Sequence, residues 1–188
     1  MFPTRRIITS GGDVFRDEYS ISFDGSNDYI QVGGSNFDFG TNDFTLSLWF
    51  NPKGDNTDTY FMSQHANDDN RWYFRLDSSG QVHFYSAMGG SSAVALNGSS
   101  AVNATGWSHI VLSVDRDSAT GANIYINGAL DATTDESSYS SVDYNISTLS
   151  PDTVGQEDLN IGRWKTVYST TKAMSEIAIY DTALSASQ

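Results

Sequence analysis

Apolar and polar side chains alternate along many short segments of this chain, and this alternation constrains the fold more than any other feature. In residues 44–50, Phe and Leu side chains are separated by Thr45, Ser47 and Trp49. The same period of two recurs in the segments 72–76, 82–85, 109–114, 124–126 and 177–179. Successive side chains on a strand point to opposite faces of a sheet, so each segment predicts a strand with one apolar face.

Turn-forming residues separate these segments. Asn127-Gly128 lies between two short apolar runs, and this dipeptide favours a two-residue hairpin because both positions require positive φ. We also expect a first hairpin around residues 24–25 that buries the rings of Phe23 and Tyr29. Many short strands with frequent turns predict an antiparallel all-β sandwich, and 188 residues suit one domain.

Composition excludes several classes of function. The chain has no Cys, which excludes disulfides, thiolate zinc sites and a Cys nucleophile. Its net charge of −13 repels phosphate backbones, so we expect no nucleic-acid partner. No apolar run approaches the roughly 18 residues of a membrane helix, and Ile7-Ile8 is too short for the core of a signal peptide. We therefore expect no membrane insertion and no secretion signal.

Segments in a fixed order resemble the laminin G-like, concanavalin A-like jelly-roll family. They are 19–30 (YSISFDGSNDYI), 44–50 (FTLSLWF), 107–115 (WSHIVLSVD), 124–128 (IYING), 159–162 (LNIG) and 175–185 (SEIAIYDTALS). The resemblance covers residues 19–188 and implies two stacked antiparallel sheets, so residues 1–18 form a separate N-terminal arm. This superfold carries lectins, glucanases, adhesion modules and virion parts, and the fold alone does not choose among them.

Glucan hydrolysis is the enzymatic alternative for this family. A retaining glycosidase needs two carboxyl groups about 5 Å apart, and the family's glucanases carry them as E-x-D-x-x-E or with one more spacer residue. The four glutamates of this chain, Glu18, Glu136, Glu157 and Glu176, do not have that spacing. We therefore predict a non-catalytic member, with a divergent glycan-active enzyme as the third alternative.

Calcium is the cofactor that the resemblance implies, bound at one rim of the sandwich. Calcium takes about six to eight oxygen ligands, and the turn at Asp24 and Asp28 would supply one side of such a site. The closing strand would supply the other, but this chain has Ser175 where the family usually carries an Asp. Asp68 and Asp69 form a second oxygen-rich cluster, although Asp also simply favours turns.

Carbohydrate binding is predicted from aromatic and imidazole side chains that point away from the core. Sugars stack on such rings when several lie on one sheet, although outward aromatics are also good strand formers that loops often cover. The candidates are Trp49, Tyr73, His83, Tyr85, His109 and Tyr125. Trp164, between Arg163 and Lys165, forms a further basic-aromatic patch that serves either as a contact site or as a loop anchor.

The N-terminal arm predicts assembly with other copies or proteins. It carries basic and apolar side chains that either pack along the arm's own domain or reach a neighbour. These are Phe2, Arg5, Arg6, Ile7, Ile8 and Phe15.

The function predicted first is a non-catalytic structural or adhesive module of a larger assembly. The arm, the lack of Cys and the lack of a signal peptide favour a phage virion surface component such as a decoration, fibre or tail protein. It would assemble in the host cytoplasm as a homo-oligomer with other virion proteins and bind host glycans. The alternative is a carbohydrate-binding module of a bacterial surface or secreted protein, which would place it outside the cell.

Overall fold

The computed structural model describes residues 19–33, 39, 42–55, 57–88, 91–115, 118, 120–133, 158–168 and 172–186. The strands in these ranges are β1 (Ile21–Phe23), β2 (Ile30–Val32), β3 (Phe44–Asn51), β4 (Thr59–Asn67), β5 (Asn70–Leu76), β6 (Gln81–Met88), β7 (Ser91–Ala101), β8 (Ser108–Val114), β9 (Ala122–Ile126), β10 (Ala129–Thr133), β11 (Leu159–Ile161), β12 (Arg163–Trp164), β13 (Val167–Tyr168) and β14 (Lys172–Tyr180). No helix in the described part of the chain is long and apolar enough to cross a membrane.

The described strands form two six-stranded sheets and a small ribbon. Sheet A has the order β1-β14-β3-β8-β9-β10, sheet B has the order β2-β11-β4-β5-β6-β7, and β12 pairs with β13. Every pairing is antiparallel. The predicted all-β sandwich of the jelly-roll type is confirmed.

The core lies between the two sheets and is filled by the side chains that the alternation assigned to it. On β3, the four apolar side chains at 44, 46, 48 and 50 are at most 1% exposed, and Ile110 and Leu112 on β8 are fully buried. Sheet B contributes Trp72 and Phe74 from β5 and Phe84 from β6. Because apolar burial contributes roughly 25 cal/mol per Å², these buried aromatic and aliphatic side chains are the main stabilising element of the sandwich.

The two ends of the described chain follow the prediction in part. Strand β1 pairs with the closing strand β14, with Ile21 opposite Met174. The predicted first hairpin is wrong, because β1 belongs to sheet A whereas β2 pairs with β11 in sheet B. The turn at 24–25 therefore crosses between the sheets, so Phe23 is buried while Tyr29 stays 38% exposed.

One turn and one side-chain contact shape the edge of the sandwich at β10. Asn127 and Gly128 have φ of 53° and 79° and connect β9 to β10, which confirms the predicted hairpin. At the same edge of the sandwich, the Asp131 carboxylate on β10 accepts hydrogen bonds from the backbone amides of Ser99 and Ser100 on β7, at 3.0 and 2.9 Å. This contact joins the edge strand of sheet A to the edge strand of sheet B.

Candidate functional site

Three tyrosines form a row across the outer face of sheet B. Tyr60 on β4, Tyr73 on β5 and Tyr85 on β6 all point away from the core and are half-buried. Tyr73 and Tyr85 are direct cross-strand partners, and their rings stack with centroids 5.2 Å apart and planes 18° apart. Tyr60 meets Tyr73 edge to face at 5.7 Å. We call these three side chains the tyrosine row.

Two arginines on β5 flank the middle ring of the tyrosine row. Arg71 and Arg75 lie two residues before and after Tyr73, so all three side chains share one face of the strand. The Arg71 guanidinium lies 5.5 Å from the Tyr85 centroid, and that of Arg75 lies 5.6 Å from Tyr73. Such cation–π contacts hold a positive charge next to an aromatic surface.

The ribbon of β12 and β13 folds back over this face and places Trp164 on the tyrosine row. The Trp164 indole stacks on Tyr60 at 5.6 Å, meets Tyr73 edge to face at 5.0 Å and is only 9% exposed. The turn into the ribbon occurs at Gly162, whose φ is 80°. A Cβ at Gly162 would lie 2.6 Å from the buried Phe23 ring, so only glycine fits there.

Acidic side chains flank the tyrosine row on both sides, just before and just after β4. On one side, Asp68 in the turn between β4 and β5 contacts Lys165, His65 and Arg71. These contacts, with the Lys165 hydrogen bond the largest cause, lower the pKa of Asp68 to about 2. On the other side, before β4, the Asp58 carboxylate lies 3.4 Å from the Arg75 guanidinium.

Burial and hydrogen bonding set the electrostatics of the remaining groups on this face. Burial raises the pKa of Tyr60 and of Tyr73 above 10, although the nearby Arg75 opposes the change. His83 is held by Asp77 at 2.9 Å and by Asn97 at 2.6 Å. The pKa of Asp77 is lowered because hydrogen bonds from Gln81, His83 and Ser79 together outweigh the opposing effect of its burial.

The other three predicted glycan-binding residues lie on the opposite side of the molecule, on the outer face of sheet A. Trp49, His109 and Tyr125 are carried by β3, β8 and β9 and are half-buried. Trp49 and His109 pack at 5.2 Å, and His109 Nε2 is hydrogen-bonded to the Ser47 hydroxyl at 2.9 Å. The six candidates therefore do not form one platform; Tyr73, His83 and Tyr85 share one face, and the rest share the other.

Part of the sheet A face is covered by the end of the described chain. The Thr45 hydroxyl donates to the Thr182 carbonyl at 2.8 Å and accepts from the Leu184 amide at 2.9 Å. The Ser113 hydroxyl donates to the Leu184 carbonyl at 2.8 Å. Thr45 and Ser113 are consequently buried although they point away from the core.

The residues predicted to hold calcium are engaged in other contacts. Asp24 accepts hydrogen bonds from the amides of Ser26 and Asn27, which lower its pKa, and Asp28 accepts one from the amide of Asp24. The Ser175 hydroxyl donates to the carbonyl of Tyr19. In the described ranges, three or more His, Cys, Asp or Glu side chains nowhere converge as metal ligands would. Calcium binding stays a prediction.

Asp68 and Asp69 likewise serve the turn between β4 and β5. Asp68 contacts cations, and the Asp69 amide donates to the Asn67 side chain at 2.9 Å. The arm residues Phe2, Arg5, Arg6, Ile7, Ile8 and Phe15 lie outside the described residues. The domain boundary predicted at residue 19 stays a prediction for the same reason.

Tyr60, His65 and Arg71 belong to the site but were not among the sequence candidates. Tyr60 and His65 lie on β4, which lacks a clean alternation because its register shifts between Tyr60 and Met62, so Phe61 and Met62 are both buried. A bulge of this kind interrupts the period of two. In the TYFMSQH segment, residues 59–65, the alternation becomes visible only when one extra residue is allowed in the pattern.

Solved structures with this architecture include domains that carry bound glycans. The CBM40 of the Ruminococcus gnavus IT-sialidase, bound to α2,3-sialyllactose, superposes with a TM-score of 0.64 at 16% identity, covering 90% of this chain and 94% of that one. Domain 4 of AbnA, an extracellular GH43 arabinanase from Geobacillus stearothermophilus in complex with arabinotriose, gives 0.61 at 20% identity, covering 90% and 73%. The SAP-like pentraxin of Limulus polyphemus gives 0.55 at 13% identity, covering 89% and 77%.

At these identities the structural similarity shows the shared fold. Among curated proteins, none matches the sequence significantly. The family model described as the concanavalin A-like lectin/glucanases superfamily matches residues 24–188, which is most of the chain. The chain belongs to the concanavalin A-like lectin/glucanases superfamily.

Proposed function

We propose that this protein is a non-catalytic carbohydrate-binding module that holds its glycan on the outer face of sheet B. The observation that carries the proposal is the tyrosine row, which offers partly exposed rings next to the guanidinium groups of Arg71 and Arg75. Sugar rings present C–H faces that pack on aromatic rings, and their hydroxyl groups accept hydrogen bonds from arginine. The structural relatives bound to sialyllactose and arabinotriose support this reading.

Rigidity is a second feature that favours binding. The row is fixed by Trp164 from the side and by cross-strand pairing from below, so little side-chain entropy would be lost on association. Among the described residues of the opposite face, Trp49 and His109 pack on each other, and the end of the described chain covers the neighbouring Thr45. The face of sheet B is therefore the better surface for a sugar.

A glycan array followed by isothermal titration calorimetry tests the proposal. We expect Tyr85→Ala to weaken binding of the best array glycan roughly 3- to 10-fold, because an aromatic contact contributes about 0.5–1.5 kcal/mol beyond its area. Tyr125→Ala is the matched control, since it removes the same half-buried side chain from the opposite face. Loss of binding in the control alone would move the site to sheet A, and a featureless array would refute the function.

The virion-surface role predicted from the sequence stays a prediction, as do its oligomeric state and its location. It rests on the N-terminal arm, which lies outside the described residues, and on fold analogy. The structural relatives favour the carbohydrate-binding alternative instead. For this reason we place that alternative first.

A further inference from the structure

One exposed carboxylate on the sheet B face is surrounded by three cationic or imidazole groups. The Asp68 atom Oδ1 accepts a hydrogen bond from Lys165 Nζ, lies 3.2 Å from His65 Nε2 and lies 3.8 Å from Arg71 Nη1. All three groups thus meet a single oxygen. The Asp68 side chain is 76% exposed, whereas those of His65, Arg71 and Lys165 are 23%, 24% and 39% exposed.

The three groups around Asp68 are also held by aromatic rings. Arg71 lies over Tyr85, Lys165 Nζ lies 5.8 Å from the Trp164 centroid, and the His65 ring meets Trp164 edge to face at 5.0 Å. Each group therefore keeps an anchor that does not involve Asp68. The carboxylate is the exposed, replaceable part of the cluster, and an exposed ion pair contributes little to stability.

The basic side chains next to the tyrosine row stand out because the protein as a whole is acidic. The chain has 10 basic and 23 acidic residues, yet Arg71, Arg75 and Lys165 gather on one face beside the tyrosine row. A planar guanidinium and an ammonium group are the side chains best suited to bind a carboxylate. Arg71 joins the two features, since it contacts both the Tyr85 ring and the Asp68 cluster.

We propose that the glycan is a carboxylated sugar, of the uronic or sialic acid type. Its carboxylate replaces that of Asp68 among Lys165, His65 and Arg71, while its ring lies against the stacked pair of Tyr73 and Tyr85. Asp68 keeps the cationic groups aligned when no glycan is bound, and it competes with weakly binding anions. This inference rests on the proposed carbohydrate-binding function and names the class of ligand.

Calorimetric titration with matched glycans tests this inference. The pairs are 3′-sialyllactose with its neutral methyl ester, and trigalacturonate with its neutral methyl ester. We expect the wild type to bind one of the acids about tenfold more tightly than its neutral partner, since charge-assisted hydrogen bonds are about twice as strong as neutral ones. The two pairs distinguish a sialic acid from a uronic acid.

Variants then locate the carboxylate. Asp68→Asn removes the competing charge, and we expect it to tighten binding of the acid several-fold without changing binding of the neutral partner. Lys165→Met should weaken binding of the acid by a similar factor. Asp58→Asn is the matched control, because it also removes an exposed, arginine-paired negative charge from the same face, at the opposite end of β4. Melting temperatures verify that all three variants are folded.

Each contrary result has a definite meaning. Equal affinity for the acid and its neutral partner, with no effect of Asp68→Asn, would overturn the carboxylate site and leave the glycan-binding function standing. Equal tightening by Asp58→Asn and Asp68→Asn would also overturn it, because overall charge would then explain the effect. Absence of binding to any glycan, charged or neutral, would refute the proposed function itself.

Discussion

The outer faces of the two sheets come from the same alternating pattern, yet they differ in how their aromatic side chains are used. On sheet B, the tyrosine row runs across three strands, with arginines beside it and Trp164 packed against its end. On sheet A, Trp49 packs on His109, and the end of the described chain covers the adjacent Thr45. Alternation determines which side chains point outward, whereas neighbouring segments determine whether an outward face stays accessible.

The largest effect on the difference between the two faces is expected from a change in the turn that directs the ribbon over sheet B. Gly162→Ala places a methyl group at positive φ and against the buried Phe23 ring. We expect it to lower the free energy of unfolding by about 2–5 kcal/mol, adding backbone strain to overpacking. Urea denaturation measures this change. Gly33→Ala is the control, since its methyl group would contact nothing within 4 Å; equal losses for both would contradict the assigned role.

Comparing two tryptophans sharpens the contrast between the faces. Trp164→Ala should destabilise the protein by about 3 kcal/mol, because this nearly buried ring contacts two tyrosines. Trp49→Ala should cost only about 1 kcal/mol, since that ring is half-buried and stacks on one histidine. Denaturation midpoints and near-ultraviolet circular dichroism report both changes. The reverse order would show that the sheet A face is the better packed one.

The smallest expected effect concerns acid sensitivity on sheet A. Burial lowers the pKa of His109 below its usual 6.5, so the folded state binds fewer protons there than the unfolded state. Its contribution to stability is therefore complete above pH 6.5 and is lost as the pH falls through 6.5 towards the lowered value. Melting temperatures of the wild type and His109→Gln between pH 7.5 and 5 measure this loss. An unchanged slope in the variant would assign the acid sensitivity to other groups.

The fold was predicted well because the alternation within strands and the residue types of turns are local features of the sequence. Alternation in β3, β5 and β8 identified the core, and Asn127-Gly128 identified a hairpin from its φ requirement alone. The first hairpin was predicted wrongly because its turn joins two sheets. The choice between pairing in one sheet and crossing to another depends on distant partners, here Met174 and Leu159.

The candidate site was predicted only in part, for a related reason. Tyr73, His83 and Tyr85 follow from alternation, but their grouping apart from Trp49 and His109 depends on which sheet each strand joins. The bulge in β4 concealed Tyr60 and His65. Contacts of Asp68 with Lys165, 97 residues later, depend on the path of the ribbon and leave no local signal in the sequence.

The contact between Asp131 and the amides of Ser99 and Ser100 has a consequence for solubility. An edge strand offers unpaired amides that can recruit a strand from another molecule, which is a common start of aggregation. Here a carboxylate occupies two such amides on β7 and adds a negative charge at the same point. This edge is therefore a poor template for a strand from another molecule.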